Sequence, residues 1–230
     1  MNKHLKRTKL AGVLAALGFI SLVGNANAAL FQIDFTKAGA FSGTSPTLPS
    51  DPNAVFARAI FDDHGSSGSV TLTMSVLNNL SSGAYVNDWY FNVNSAPLTA
   101  INFVSGVAAP TSGIDNGSNA FKADGTGGNF DFAFHFSTSN PGQLGQGFSS
   151  VYTLVDAGIT ANSFNSISIS SPLNAGNGGY TSALHVQGYG NSVWIAGDPS
   201  VPPTQVPEPA SLALIGLGLL GMAASRRRWK

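Results

Sequence analysis

Val70-Thr71-Leu72-Thr73-Met74-Ser75-Val76 alternates apolar and hydroxyl side chains without a break. Successive side chains of a strand point to opposite faces, so Val70, Leu72, Met74 and Val76 share one face and the hydroxyls the other. The segment reads as a β-strand with one face on a core and one in water. Phe130, Phe132, Phe134 and Phe136 repeat the pattern around Asp131, Ala133 and His135, and Phe31, Ile33 and Phe35 repeat it again.

Outward from these, weaker strands are expected at 54–61, 86–93, 98–104, 151–155, 166–170, 180–187 and 192–196. Turn signals separate them, among them Asp63-His64-Gly65, Asp115-Asn116-Gly117, Asp124-Gly125 and Gly188-Tyr189-Gly190-Asn191. Residues 156–164 lack clear alternation and read as one short helix. Between the 29th and 198th residues, Gly, Ser, Asn and Thr separate short Val, Ile, Phe and Tyr runs, and the Glu, Lys and Arg that build exposed helices are almost absent. The expected fold is all-β: an antiparallel, jelly-roll-like β-sandwich of about ten strands. An N-terminal signal helix precedes it and a single C-terminal transmembrane helix follows.

The two ends have their own chemistry. Lys3, Lys6, Arg7 and Lys9 precede an apolar run from Leu10 to Val23, and Ala26-Asn27-Ala28 is an A-x-A cleavage pattern before Ala29. Residues 1–28 therefore read as a signal peptide for export by the Sec route, with the mature chain starting at Ala29. There is no cysteine, so neither a lipid-attachment thiol nor a disulfide is available. Residues 199–205 hold Pro199, Pro202 and Pro203 and read as a semi-rigid spacer between the 29–198 domain and the 206–230 tail.

That tail has three parts in fixed order. Val206-Pro207-Glu208-Pro209 is held extended by its prolines and keeps one carboxylate exposed. Leu212, Leu214, Ile215, Leu217, Leu219 and Leu220 lie in an apolar run without the polar stripe of a soluble helix. At about 15 residues against the roughly 20 that span a bilayer core, it suits a temporary anchor in the inner membrane. Arg226, Arg227, Arg228 and Lys230 then stay cytoplasmic by the positive-inside rule.

On these residues the tail resembles the PEP-CTERM sorting signal of Gram-negative bacteria, a segment also labelled an ice-binding protein C-terminal domain. The resemblance implies an exosortase, a membrane protease, as partner. It implies transient anchoring followed by delivery to the cell surface or the medium, in cells that make exopolysaccharide and biofilm. The body is similar to those of many small proteins with this tail, in which a stretch like Asn87-Asp88-Trp89-Tyr90-Phe91-Asn92-Val93 follows the Val70 strand and His-Val-Gln-Gly, here His185 to Gly188, comes later.

Charge and motifs narrow the function classes. With the signal and tail set aside, Lys37, Arg58 and Lys122 face ten aspartates between Asp34 and Asp198. Such an acidic body lacks the cations that neutralise phosphates, so no nucleic-acid partner is expected. No G-x-S-x-G is present, and His64, His135 and His185 have no second histidine at metal-ligand spacing, so neither catalytic residues nor a metal site are assigned. Asp62-Asp63 and Asp88 are the carboxylates on which a glycosidase would draw, but turn capping explains most of the aspartates better. Asp124 to Asp131 resembles a Gly/Asp calcium repeat but occurs once and without regular glycine spacing, so the expectation is no cofactor, with calcium the minority reading. Trp89, Tyr90, Tyr180, Tyr189 and Trp194 are the candidates for a sugar-stacking platform; alternation places Trp89 and Phe91 in the core and Tyr90 outward. The favoured reading is a non-enzymatic, exosortase-sorted surface or matrix protein associated with exopolysaccharide. The alternative is a secreted carbohydrate-binding module or hydrolase.

Overall fold

The computed structural model describes residues 28–44, 48–124, 128–169 and 179–200. Both the expected signal helix and the expected transmembrane helix lie outside these residues. Among the described residues no helix is long and apolar enough to cross a membrane.

The body is all-β and every strand pair is antiparallel. The strands are β1 (Leu30–Thr36), β2 (Ala40–Thr44), β3 (Val55–Asp62), β4 (Ser69–Val76), β5 (Tyr85–Phe91), β6 (Ala100–Gly106), β7 (Ile114–Lys122), β8 (Asn129–His135), β9 (Leu144–Gly145), β10 (Ser149–Val155), β11 (Ser182–Gly188) and β12 (Asn191–Ser200). Their order across the sheet is β6-β10-β4-β3-β1-β12-β11-β5-β8-β7, with β2 beside β12 and β9 beside β5.

The two layers of the sandwich are the halves of this one sheet, continuous through β12. Val193 to Gly197 pair with β11, whereas Asp198 to Ser200 pair with β1. The strand changes layer at Gly197, where any Cβ would lie 2.5 Å from the Ile33 side chain and 2.7 Å from the Phe35 ring. Only glycine admits that approach. β12 also takes Pro199 and Ser200 into strand, from the stretch that the sequence assigns to the spacer.

Facing side chains close the layers over an aromatic core. Phe35 on β1 meets Trp89 on β5 edge-on at 5.1 Å, Phe61 on β3 meets Phe91 at 5.5 Å, and Phe134 on β8 meets Tyr152 on β10 at 4.5 Å. Val70, Leu72, Met74 and Val76 are buried, and Thr71, Thr73 and Ser75 on the other face of β4 are half-exposed. Phe132, Phe134 and Phe136 enter this core as their alternation requires. Phe130 departs from it and joins a second cluster with Tyr90, Ala133 and Ala183, where the β7–β8 register slips between Asn116 and Phe121.

Three local expectations are corrected. Asp115-Asn116-Gly117 lies inside β7 instead of forming a turn. The helix expected at 156–164 is reduced to a 3₁₀ turn over Ala161–Phe164, with Thr160 and Ser163 capping each other's backbone N–H. Ile159, Ala161 and Phe164 are buried there, with the Phe164 ring stacked on Phe61 at 4.3 Å. Of the strand expected at 166–170, the described part makes a single bridge, Asn129 to Ile169.

Candidate functional site

Asn87 and Asp88 owe their placement to a β-bulge. Val86 and Trp89 are both buried in the core although three positions apart, and the β5–β11 register runs Leu184–Trp89, His185–Asp88, Val186–Val86. One β5 residue is thus extra, and the shift brings Asn87 and Asp88 together against His185 on the outer face. Two segments nearly a hundred residues apart, Asn87 to Val93 and His185 to Gly188, are therefore neighbours.

The Asp88 carboxylate bridges two imidazoles. His135 Nδ1 on β8 lies 2.6 Å from Oδ1, and His185 Nδ1 on β11 lies 3.0 Å from Oδ2. The other ring nitrogen of His135 is 3.0 Å from Asp115 Oδ2 on β7. Gln187 donates to the Asn87 side-chain carbonyl at 2.7 Å and accepts from the Tyr85 hydroxyl at 3.1 Å. A polar ladder so crosses β7, β8, β5 and β11 on the side of the sheet away from the core.

Its electrostatics favour the ion pair. Hydrogen bonding to Asp88, opposed by burial and aided by Asp115, raises the His135 imidazole above its ordinary value. Burial pushes the Asp88 carboxyl up, but the hydrogen bonds from His135 and His185 outweigh it and leave the group below its ordinary value. Tyr90 is pushed well above the usual phenol range by burial and then by the Asp88 and Asp115 charges.

Aromatic rings enclose the ladder. The His185 ring stacks on Trp194 at 4.5 Å with 5° between planes, Tyr90 meets His135 edge-on at 5.7 Å, and Phe41 stacks on Tyr180 at 5.0 Å. Of the five candidate platform aromatics, Tyr90, Tyr180 and Trp194 thus gather on this face. Trp89 is core, and Tyr189 sits exposed on the β11–β12 turn with its hydroxyl donating to the Ser82 carbonyl. Tyr90 points outward, as alternation required, but is buried beneath this second cluster.

What the ladder can do chemically follows from its occupancy. Carboxylates on both ring nitrogens favour the protonated form of His135, in which neither nitrogen offers a lone pair to a proton or a metal. His185 keeps an Asp–His arrangement, but no described serine or threonine hydroxyl is hydrogen-bonded to it to serve as nucleophile. Among the described residues, no group of three or more His, Asp or Glu is arranged to hold a metal ion.

The other candidate carboxylates have structural partners. Asp131, at the end of the stretch that resembles a calcium repeat, lies within β8, is buried and accepts the N–H groups of Val93 at 2.9 Å and Asn119 at 2.7 Å. Asp124 accepts from the Ser42 hydroxyl. Asp62 accepts the His64 N–H at 2.8 Å in the turn after β3, and Asp63 is buried among backbone donors.

Of the residues the sequence assigned to processing, Ala28 and Ala29 are described, and Ala29 packs against the core. Ala26, the Val206 to Pro209 motif, the Leu212 to Leu220 run and the Arg226 to Lys230 cluster lie outside the described residues. For this tail the comparison with known families is informative: residues 205–228 match the family model of the PEP-CTERM protein-sorting motif. No curated protein and no solved structure matches the chain. With its apolar run and basic cluster in the order the motif requires, the chain carries a PEP-CTERM sorting motif at 205–228, a motif that implies processing by an exosortase and sorting to the cell surface.

Proposed function

We propose that the β-body is the displayed, non-enzymatic part of a protein exported by the Sec route, anchored briefly in the inner membrane and released by exosortase into an exopolysaccharide-rich surface matrix. The observation that carries this reading is the sorting motif at 205–228 behind a folded body. The body's excess of aspartate over lysine and arginine supports it, since a strongly acidic domain stays soluble and repels anionic surfaces. So does the His135 imidazole, both of whose ring nitrogens are engaged by carboxylates.

The test is the fate of the protein in the host. With exosortase present, the body should be recovered outside the cell without residues 210–230. With exosortase deleted, the full-length chain should remain in the membrane fraction.

A second reading has one observation in its favour. Phe41, Tyr90, Tyr180 and Trp194 gather beside Asp88 and Asp115, the combination of ring faces and carboxylates that sugar-binding modules use. Glycan-array binding by the released protein that Trp194→Ala abolishes would favour a carbohydrate-binding module.

A further inference from the structure

We propose that Asp63 is the receptor for the amino terminus created by signal-peptide cleavage, so that cutting between Ala28 and Ala29 completes a buried ion pair in the fold. Asp63 follows β3 and is only 5 % exposed. Its Oδ1 accepts the Ala29 N–H at 2.8 Å and the Gly65 N–H at 2.9 Å, and its Oδ2 accepts the Ala161 N–H at 3.2 Å. All three donors are neutral backbone groups. Among the described residues no lysine, arginine or histidine is paired with this carboxylate.

A buried carboxylate without a cation is costly, and buried charges are ordinarily paired. The partner is built in but latent. The Ala29 nitrogen already touches the carboxylate, held by β1 and by the return bond from the Asp63 N–H to the Ala29 carbonyl at 3.3 Å. Ala29 itself packs against the core. Cleavage would convert that amide N–H into an α-ammonium at the same point, replacing a neutral donor by a charge-assisted one without moving the chain. The unprocessed chain carries the carboxylate uncompensated, and processing stabilises the fold only if the cut falls at this bond. A terminus one residue earlier puts the ammonium about 3.8 Å further along the chain.

The inference rests on the export reading of residues 1–28, and the experiment separates the two. N-terminal sequencing of the exported protein should give Ala29. Chains 29–230 and 28–230, released from a cleavable fusion in detergent, are then unfolded in urea at several pH values, each with and without Asp63→Asn. The Ala29 chain should unfold at higher urea near about pH 6. Its ammonium is raised by its partner, so this advantage is full below the ordinary α-amino value of about 7.7–8.0 and is lost as pH rises through the folded value. Asp63→Asn should erase the difference between the two chains. Should Asp63→Asn not fold, the Ala29 amine is titrated by NMR in the wild-type chain, where a value above the ordinary range is expected. Equal midpoints for the two chains, or an ordinary amine titration, overturn the pairing and leave export standing. A mature terminus at another residue overturns it as well, and an uncut terminus sinks the export reading itself.

Discussion

His135 Nδ1 lies 2.6 Å from Asp88 Oδ1 across the β5–β8 pair, and the other oxygen of the same carboxylate holds His185 at 3.0 Å. One half-buried aspartate thus joins three strands on the outer face of the sheet, and its removal leaves His135 with Asp115 and His185 with Asn87. Asp88→Asn should cost about 1–3 kcal/mol, the range for leaving buried polar groups without their partner. Urea melts of the variant at neutral pH measure it.

The same pair predicts a pH dependence. His135 is raised in the fold, so its contribution is present in full below the ordinary histidine value of about 6.5 and is lost as pH rises through the folded value. Asp88 is lowered, so its contribution is present above the ordinary carboxyl value and is lost as pH falls through the folded one. Stability should decline on both the alkaline and the acid side, and His135→Gln should flatten the alkaline limb. An alkaline decline unchanged in His135→Gln would place its origin elsewhere.

Strand faces are tested by a pair of neighbours on β4. Leu72 is fully buried, and Leu72→Asp forces an unpaired charge into the core, at a cost comparable with a domain's whole stability of about 5–15 kcal/mol. Thr71 is half-exposed, with its hydroxyl 2.9 Å from His64 Nε2. Thr71→Asp should therefore be mild, and equal damage from the two in urea melts would reject the faces.

The layer change in β12 makes its own demand. Gly197→Ala drives a methyl into Ile33 and Phe35, and overpacking of this kind costs about 1–3 kcal/mol. A melting temperature equal to wild type would show that β12 crosses between the layers with more room than these contacts leave.

How much of this was legible in the sequence depends on range. β4 announces itself because its eight residues keep one period, and Trp89 and Phe91 read correctly as core because alternation is local. β7 was invisible: Asp115, Asn116, Gly117, Ser118 and Asn119 are turn formers, tolerated because the strand lies at the sheet edge with most of its residues exposed or half-exposed. The ladder was missed because Asp88, His135 and His185 meet only through strand pairing. One local trace exists: buried Val86 and Trp89 are three apart in a chain of period two, which signals a bulge, and a bulge re-aims side chains. The layer change at Gly197 had no such trace, since the glycine answers to Ile33 and Phe35 far away in the chain.

Sorting remains the central claim, and the proposal is that exosortase reads the Val206 to Pro209 motif while the apolar run behind it need only be hydrophobic. Glu208→Ala or Pro209→Ala should abolish release and leave a membrane-held precursor, whereas Leu217→Ile should change nothing. The most direct measurement is the intact mass of the wild-type protein recovered at the cell surface. The account predicts a mass that lacks the Ala210 to Lys230 segment; a mass that includes it, in cells with active exosortase, would contradict the account.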